Sequence, residues 1–340
     1  MREAVAGLLL AALAAALAAQ TPPVQPPTGA SRSGAVVERR APAAPGMPLA
    51  LAGPERVPPP LVAAQQEELL SRQRALAEEA SDAVGHPVAL REDDHFIFLS
   101  DLPRDDQRKV MGWLGTLYGS LDRIFLASKE KMRLWDGKLV VAVFTRRADY
   151  LKFALKLQGE QAAVLAGGYF RPQMGPFSGA MTASVVVPLP EGGKQSLLRL
   201  RSVLVHECTH AFLYYWKRPG RTPLWLHEGT AVHMQAVADP KDPEVRALRR
   251  WAKHVAGSGE GYPIVQATEG LMPQQGSDTA GYAQAVAMTE TLLSADTRRY
   301  VRFVRLMKEG VPQKEALARA FGWSYDTLDK NWRKYARAKY

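Results

Sequence analysis

The residues with the most specific chemistry in this chain lie in Ser202-Val-Leu-Val-His-Glu-Cys-Thr-His-Ala-Phe-Leu213, where His206, Glu207 and His210 form the pattern H-E-x-x-H. On a helix of about 3.6 residues per turn, His206 and His210 stand one turn apart on one face, so their imidazoles can converge on a single ion. Glu207 is one step round from His206. It sits beside that face without becoming a ligand and is placed as a general base for a water held there. The apolar residues on either side recur at helical spacing, and with seven His in 340 residues chance gives such a motif in roughly one chain in a hundred.

Two imidazoles leave Zn²⁺ short of a third protein ligand, and a catalytic site wants three plus an open position. Seventeen residues separate His210 from Glu228, which lies in Pro223-Leu-Trp-Leu-His-Glu-Gly-Thr-Ala231, whose proline start and apolar run predict a second helix. The intervening KRPGRT is rich in turn residues. A helix-turn-helix would point Glu228 back at the same ion and complete a His₂Glu site for one Zn²⁺. His227 is the rival for that place, because a shift of one residue exchanges the two. Cys208 reads as a small buried helix residue before it reads as a thiolate ligand. His233, five residues past Glu228, faces elsewhere and reads as structural, and Trp225 as a core anchor of the second helix.

These helices need a platform, and the sequence between about 94 and 190 supplies one. His95-Phe-Ile-Phe-Leu-Ser100 and Gly137-Lys-Leu-Val-Val-Ala-Val-Phe144 read as buried strands, each followed by a helical stretch, Arg104 to Leu126 and Ala148 to about Leu157. Gly167 to Phe170 and Thr182 to Val187 complete a small mixed sheet across the loop RPQMGPFSGA. From about 191 to 340 the pattern is helical, ending in three short helices broken at Gly310 and Gly322. The expected class is α+β.

The segments HECTH and WLHEGTA resemble the gluzincin, or MA-clan, metallopeptidases. Together with HFIFLSDLP, KLVVAVFTRR, AGGYF and YAQAVAM they are similar to a bacterial peptidase-MA-like domain, over about His95 to Trp332. The resemblance implies a zincin-like fold and hydrolysis of peptide bonds by a zinc-activated water, with Glu207 as the base. It also implies that the strand before the active-site helix, Ala183 to Val187, forms one lip of the cleft, where an extended peptide adds by backbone hydrogen bonds. An ordinary buried strand is the competing reading of that run. Tyr282 is similar in placement to a tyrosine recurring in this domain type and becomes a candidate donor to the oxyanion. A core aromatic is its other reading.

The remaining features concern location and partners. Met1-Arg2 followed by the apolar run Ala4 to Ala18 has a signal-peptide layout, with cleavage expected after Ala18 or Ala19 and an uncleaved anchor as the alternative. Residues 20–60 hold 11 of the 24 prolines and read as a flexible spacer; residues 61–93 read as a helical segment before the domain of 94–340. One cysteine excludes an internal disulfide. The formal charge of +10 is concentrated at the end, where 298–340 carries 12 basic and 4 acidic residues. That concentration reads as a solvated helical face, with peripheral contact to anionic envelope components as the alternative and no nucleic-acid partner expected. The expectation is thus an exported, periplasmic or extracellular enzyme acting on peptides or proteins. Its rival is a non-catalytic zinc-binding scaffold of the envelope.

Overall fold

The computed structural model describes residues 61–340, apart from 127–128, 131–133, 158, 160–166, 177–179, 191–195, 218–221 and 270–278. The expected signal segment and the proline-rich spacer lie outside these residues. The class is α+β. A five-stranded mixed sheet is built from β1 (Ala89–Glu92), β2 (Phe96–Ser100), β3 (Leu139–Phe144), β4 (Tyr169–Met174) and β5 (Met181–Pro188), in the order β1-β2-β3-β5-β4. The three inner strands run parallel, with Phe98 opposite Val141 and Val141 opposite Val185, while β1 and β4 join antiparallel at the two edges. Apolar runs such as LVVAVF suit inner strands covered on both faces.

Alternation along the strands divides the core in two. Phe96, Phe98, Val141, Val143, Val185 and Val187 face the larger cluster, built with α2 (Arg104–Phe125) and α4 (Ser196–Tyr215). Ile97, Leu99, Val140, Ala142, Phe144 and Val186 face a smaller one with α1 (Ala63–Val84) and α3 (Arg147–Lys152). Helix α1 is docked on this second face through buried Ala80 and Val84, and its Gln73 amide donates to the Lys138 carbonyl at 2.8 Å.

Three elements differ from the expectation. Strand β1 was hidden in ALRE, four residues too short and too mixed to show a period. The helix expected to reach Leu157 gives way after Lys152 to a π turn, Phe153–Leu157, which buries the adjacent Phe153 and Ala154 together against the sheet. The strand expected at the lip of a cleft, Ala183 to Val187, lies inside the sheet with β3 on one side and β4 on the other. The hairpin across the Gly/Pro-rich loop folds β4 back along it, so β4 takes the edge.

Beyond the sheet come α5 (Leu224–Ala238), α6 (Pro243–Ser258), α7 (Ile264–Glu269), α8 (Thr279–Ala295), α9 (Thr297–Lys308), α10 (Gln313–Phe321) and α11 (Tyr325–Lys339). Helices α5 and α8 are apolar nearly all round and form the centre of this half, as full burial requires. The last three helices cover it. Their basic residues do not all face water: Lys308 is buried and donates to the Tyr214 carbonyl at the end of α4, while Arg333 and Arg337 reach the last carbonyls of α6, Val255 and Ala256. Cations at helix C-termini hydrogen-bond the last carbonyls and interact favourably with the dipole. No helix among the described residues is long and apolar enough to cross a membrane.

Candidate metal centre

Helix α4 leaves the sheet with Leu200, Leu204, Cys208, Ala211 and Phe212 in the main core. This burial fixes its rotation and turns Ser202, His206 and His210, spaced by four, along one other face. Helix α5 crosses it. Gly229 makes that position possible, since a Cβ there would lie 2.2 Å from Thr289 Oγ1 and 2.5 Å from the Ala285 carbonyl oxygen of α8. Only glycine lets α5 and α8 approach so closely beside Glu228.

His206, His210 and Glu228 come together. The two Nε2 atoms are 3.0 Å apart, His206 Nε2 is 3.2 Å from Glu228 Oε2, and His210 Nε2 is 3.6 Å from Glu228 Oε1. Ligand atoms about 2.0–2.2 Å from a tetrahedral zinc stand about 3.3–3.5 Å apart, and the separations of the two nitrogens from each other and from the two carboxylate oxygens lie near that value. Glu228 Oε2 is buried with no hydrogen-bond partner, close to an imidazole nitrogen yet not aligned with it. An orphaned carboxylate oxygen facing two converging nitrogens fits a cation.

The electrostatics agree. Burial opposes charge on Glu228, but His210 and His206 outweigh it and hold the carboxyl far below its ordinary range. Burial likewise lowers His206, yet the Glu228 carboxylate beside it outweighs burial and raises it to about 9. In the metal-free protein a proton therefore occupies ground that a cation would take. Cys208 is buried, and burial with the nearby Glu207 charge pushes its thiol well above the ordinary range, a direction opposite to that of a ligand thiolate.

Glu207 lies on α4 between the two histidines, half-buried, and its charge is felt by His206. His227 is buried with its Nδ1 unpartnered and its ring centroid 5.8 Å from that of His210; burial, then His210 and Lys308, hold it neutral. The structure thus brings Glu228, and not its neighbour, to the two histidines. His233 binds Glu290 Oε1 at 3.2 Å within a buried cluster that includes Arg249 and Tyr340. Trp225 is buried and donates to Gln313. Tyr282 sits partly buried against the main core on the first turn of α8.

Three residues that sequence reading passed over complete the surroundings. Gln235 Oε1 lies 3.0 Å from His206 Nδ1, Gln235 Nε2 donates to Ser202 Oγ at 2.7 Å, and Ser202 Oγ donates to Asp242 Oδ2 at 2.5 Å. A signal existed: Gln235 falls seven residues after Glu228, two turns along the same face of an otherwise apolar helix, and Ser202 one turn before His206.

No protein-family model matches this chain, and no curated protein is significantly similar to it. The functional reading therefore stands on the geometry of the site.

Proposed function

We propose that this protein is a zinc-dependent metallopeptidase of the gluzincin type with a zincin-like fold, exported to the envelope or beyond, in which His206, His210 and Glu228 hold one Zn²⁺. The observation that carries the reading is the convergence of two imidazole nitrogens and the Glu228 carboxylate beside Glu207. Only three ligand-type side chains join this group among the described residues, as in catalytic zinc sites, whereas structural sites close all four positions. That supports a catalytic over a structural zinc site.

Bound zinc supplies Lewis acidity, which polarises a substrate carbonyl and acidifies water at neutral pH. The chain's own residues do the rest. Glu207 accepts the proton of the attacking water on its carboxylate, holds it, and delivers it to the departing amine. Tyr282 is the candidate donor to the carbonyl oxygen as charge develops there. As an edge strand, β4 is the candidate to pair with an extended peptide, taking the part expected of Ala183 to Val187.

Metal analysis with Glu207→Gln tests the proposal. The purified protein should carry one zinc per chain, and the variant should keep the metal while peptide hydrolysis falls about 10²–10⁴-fold. Absence of stoichiometric zinc refutes the metal site; an unchanged rate in the variant refutes the role of Glu207. Tyr282→Phe should lower the rate without loss of zinc if its hydroxyl acts, and leave it unchanged if the ring is only core.

A further inference from the structure

We infer that Asp242, the residue that caps α6, is a positioning residue for the metal centre: through Ser202 and Gln235 it fixes His206 in the form that carries its proton on Nδ1. For metal affinity this inference rests on the reading above; for the imidazole itself it does not.

The argument follows hydrogen-bond polarity. Asp242 is buried, its Oδ1 accepts the backbone N–H groups of Glu244 at 2.8 Å and Val245 at 3.1 Å, and its Oδ2 lies 2.5 Å from Ser202 Oγ. A carboxylate at a helix N-terminus can only accept. Ser202 therefore spends its single proton on Asp242 and has only lone pairs left for Gln235. The amide must then present Nε2 to Ser202, at 2.7 Å, and Oε1 to His206, at 3.0 Å. An oxygen facing Nδ1 requires a proton on Nδ1. In the neutral ring the Nε2 lone pair is left facing Glu228 and His210, where a metal ligand needs it.

Amide orientation and imidazole tautomer are ordinarily free choices. Here each is dictated by the next group along a chain crossing α4, α5 and α6. Ser202, Gln235 and Asp242 are all less than a tenth exposed, at 8%, 7% and 5%, so solvent is poorly placed to satisfy a reversed arrangement.

Reversing the polarity at its source tests the inference. Asp242→Asn keeps a capping oxygen for Glu244 and Val245 but turns the other acceptor into an N–H donor. Ser202 would then donate to Gln235, the amide would turn over, and Nε2 would carry the His206 proton. Zinc affinity, read by chelator competition, should fall about 10–100-fold, with the melting temperature of the zinc-free protein little changed. Ser202→Ala in the same background breaks the transmission and should return most of that loss, so the two substitutions are strongly non-additive. Long-range ¹H–¹⁵N spectra of the zinc-free protein, taken above the pH at which His206 becomes neutral, should show Nδ1–H in the natural protein and Nε2–H in Asp242→Asn. Ser202→Ala alone should lose the single tautomer, which keeps the test open if Asp242→Asn does not fold.

An unchanged tautomer in Asp242→Asn, a single Nδ1–H tautomer persisting in Ser202→Ala, or additive losses of affinity would overturn the inference. If the natural protein binds no zinc yet the tautomer switches, the metal reading fails and the relay stands. If zinc binds and the tautomer does not respond, the relay fails and the metal reading stands.

Discussion

Two clusters among the described residues each bring three ligand-type atoms within 4.8 Å of one another: His206, His210 and Glu228 between α4 and α5, and His86, Asp101 and Asp149 beside the sheet. Their composition differs little, but their surroundings differ in sign. Asp149 is buried, yet Arg146 at 2.5 Å and Lys152 at 3.5 Å already compensate its charge, and His86 lies 3.2 Å away. Asp101 is equally committed, accepting from the Thr145 amide at 2.7 Å and its hydroxyl at 2.6 Å. Among the described residues no lysine or arginine pairs with Glu228, and one of its oxygens has no hydrogen bond. Three donor atoms in one place make a metal site only where nothing else has claimed their lone pairs.

The largest effect should come from removing one member of each cluster. Glu228→Ala should abolish stoichiometric zinc, while His86→Ala should leave the zinc content unchanged; metal analysis of both variants decides, and a loss in His86→Ala would break the comparison. Next in size is the support of Glu228. Gly229→Ala drives a methyl into Thr289 and the Ala285 carbonyl of α8, and should cost about 1–3 kcal/mol in denaturant unfolding. It should also weaken zinc binding by displacing the ligand next door.

Asp149→Ala should destabilise the fold by about 1–2 kcal/mol, because it strips a buried acceptor from His86, while Arg146 and Lys152 can turn to water. Zinc content should not move. The smallest effect is one of pH. In the Glu290 cluster, burial raises the carboxyl, but hydrogen bonds from His233, Arg249 and Tyr340 outweigh it and bring it from 4.5 down to about 2. A depressed carboxyl stabilises the folded state above its unfolded value and loses that contribution as pH falls through the folded one. Melting temperature should therefore drop between about pH 4.5 and about pH 2, and the drop should be shallower in Glu290→Gln.

Much of this was legible because burial leaves periodic marks. LVVAVF and FIFLS announce inner strands, and H-E-x-x-H on an apolar helix announces two imidazoles on one face. What stayed hidden depends on partners distant in sequence. ALRE becomes a strand only because β2 offers it an edge, and β5 becomes an inner strand only because the hairpin returns β4 along it. Lys308 and Arg333 looked like solvated charge, and the helix ends that they cap could not be seen from their own segments.

The sequence by itself determined the identity of the donors and their spacing along each helix, because 3.6 residues per turn fixes which side chains share a face. It also determined the α+β class. Whether Glu228 or His227 meets the two histidines was decided by the tertiary structure alone, since adjacent residues point about 100° apart and only the packing of Gly229 on α8 sets the rotation of α5. The polarity reaching His206 was decided in the same way. It depends on Asp242, 36 residues away in the chain, and a hydrogen-bond direction is set only when both partners are in place.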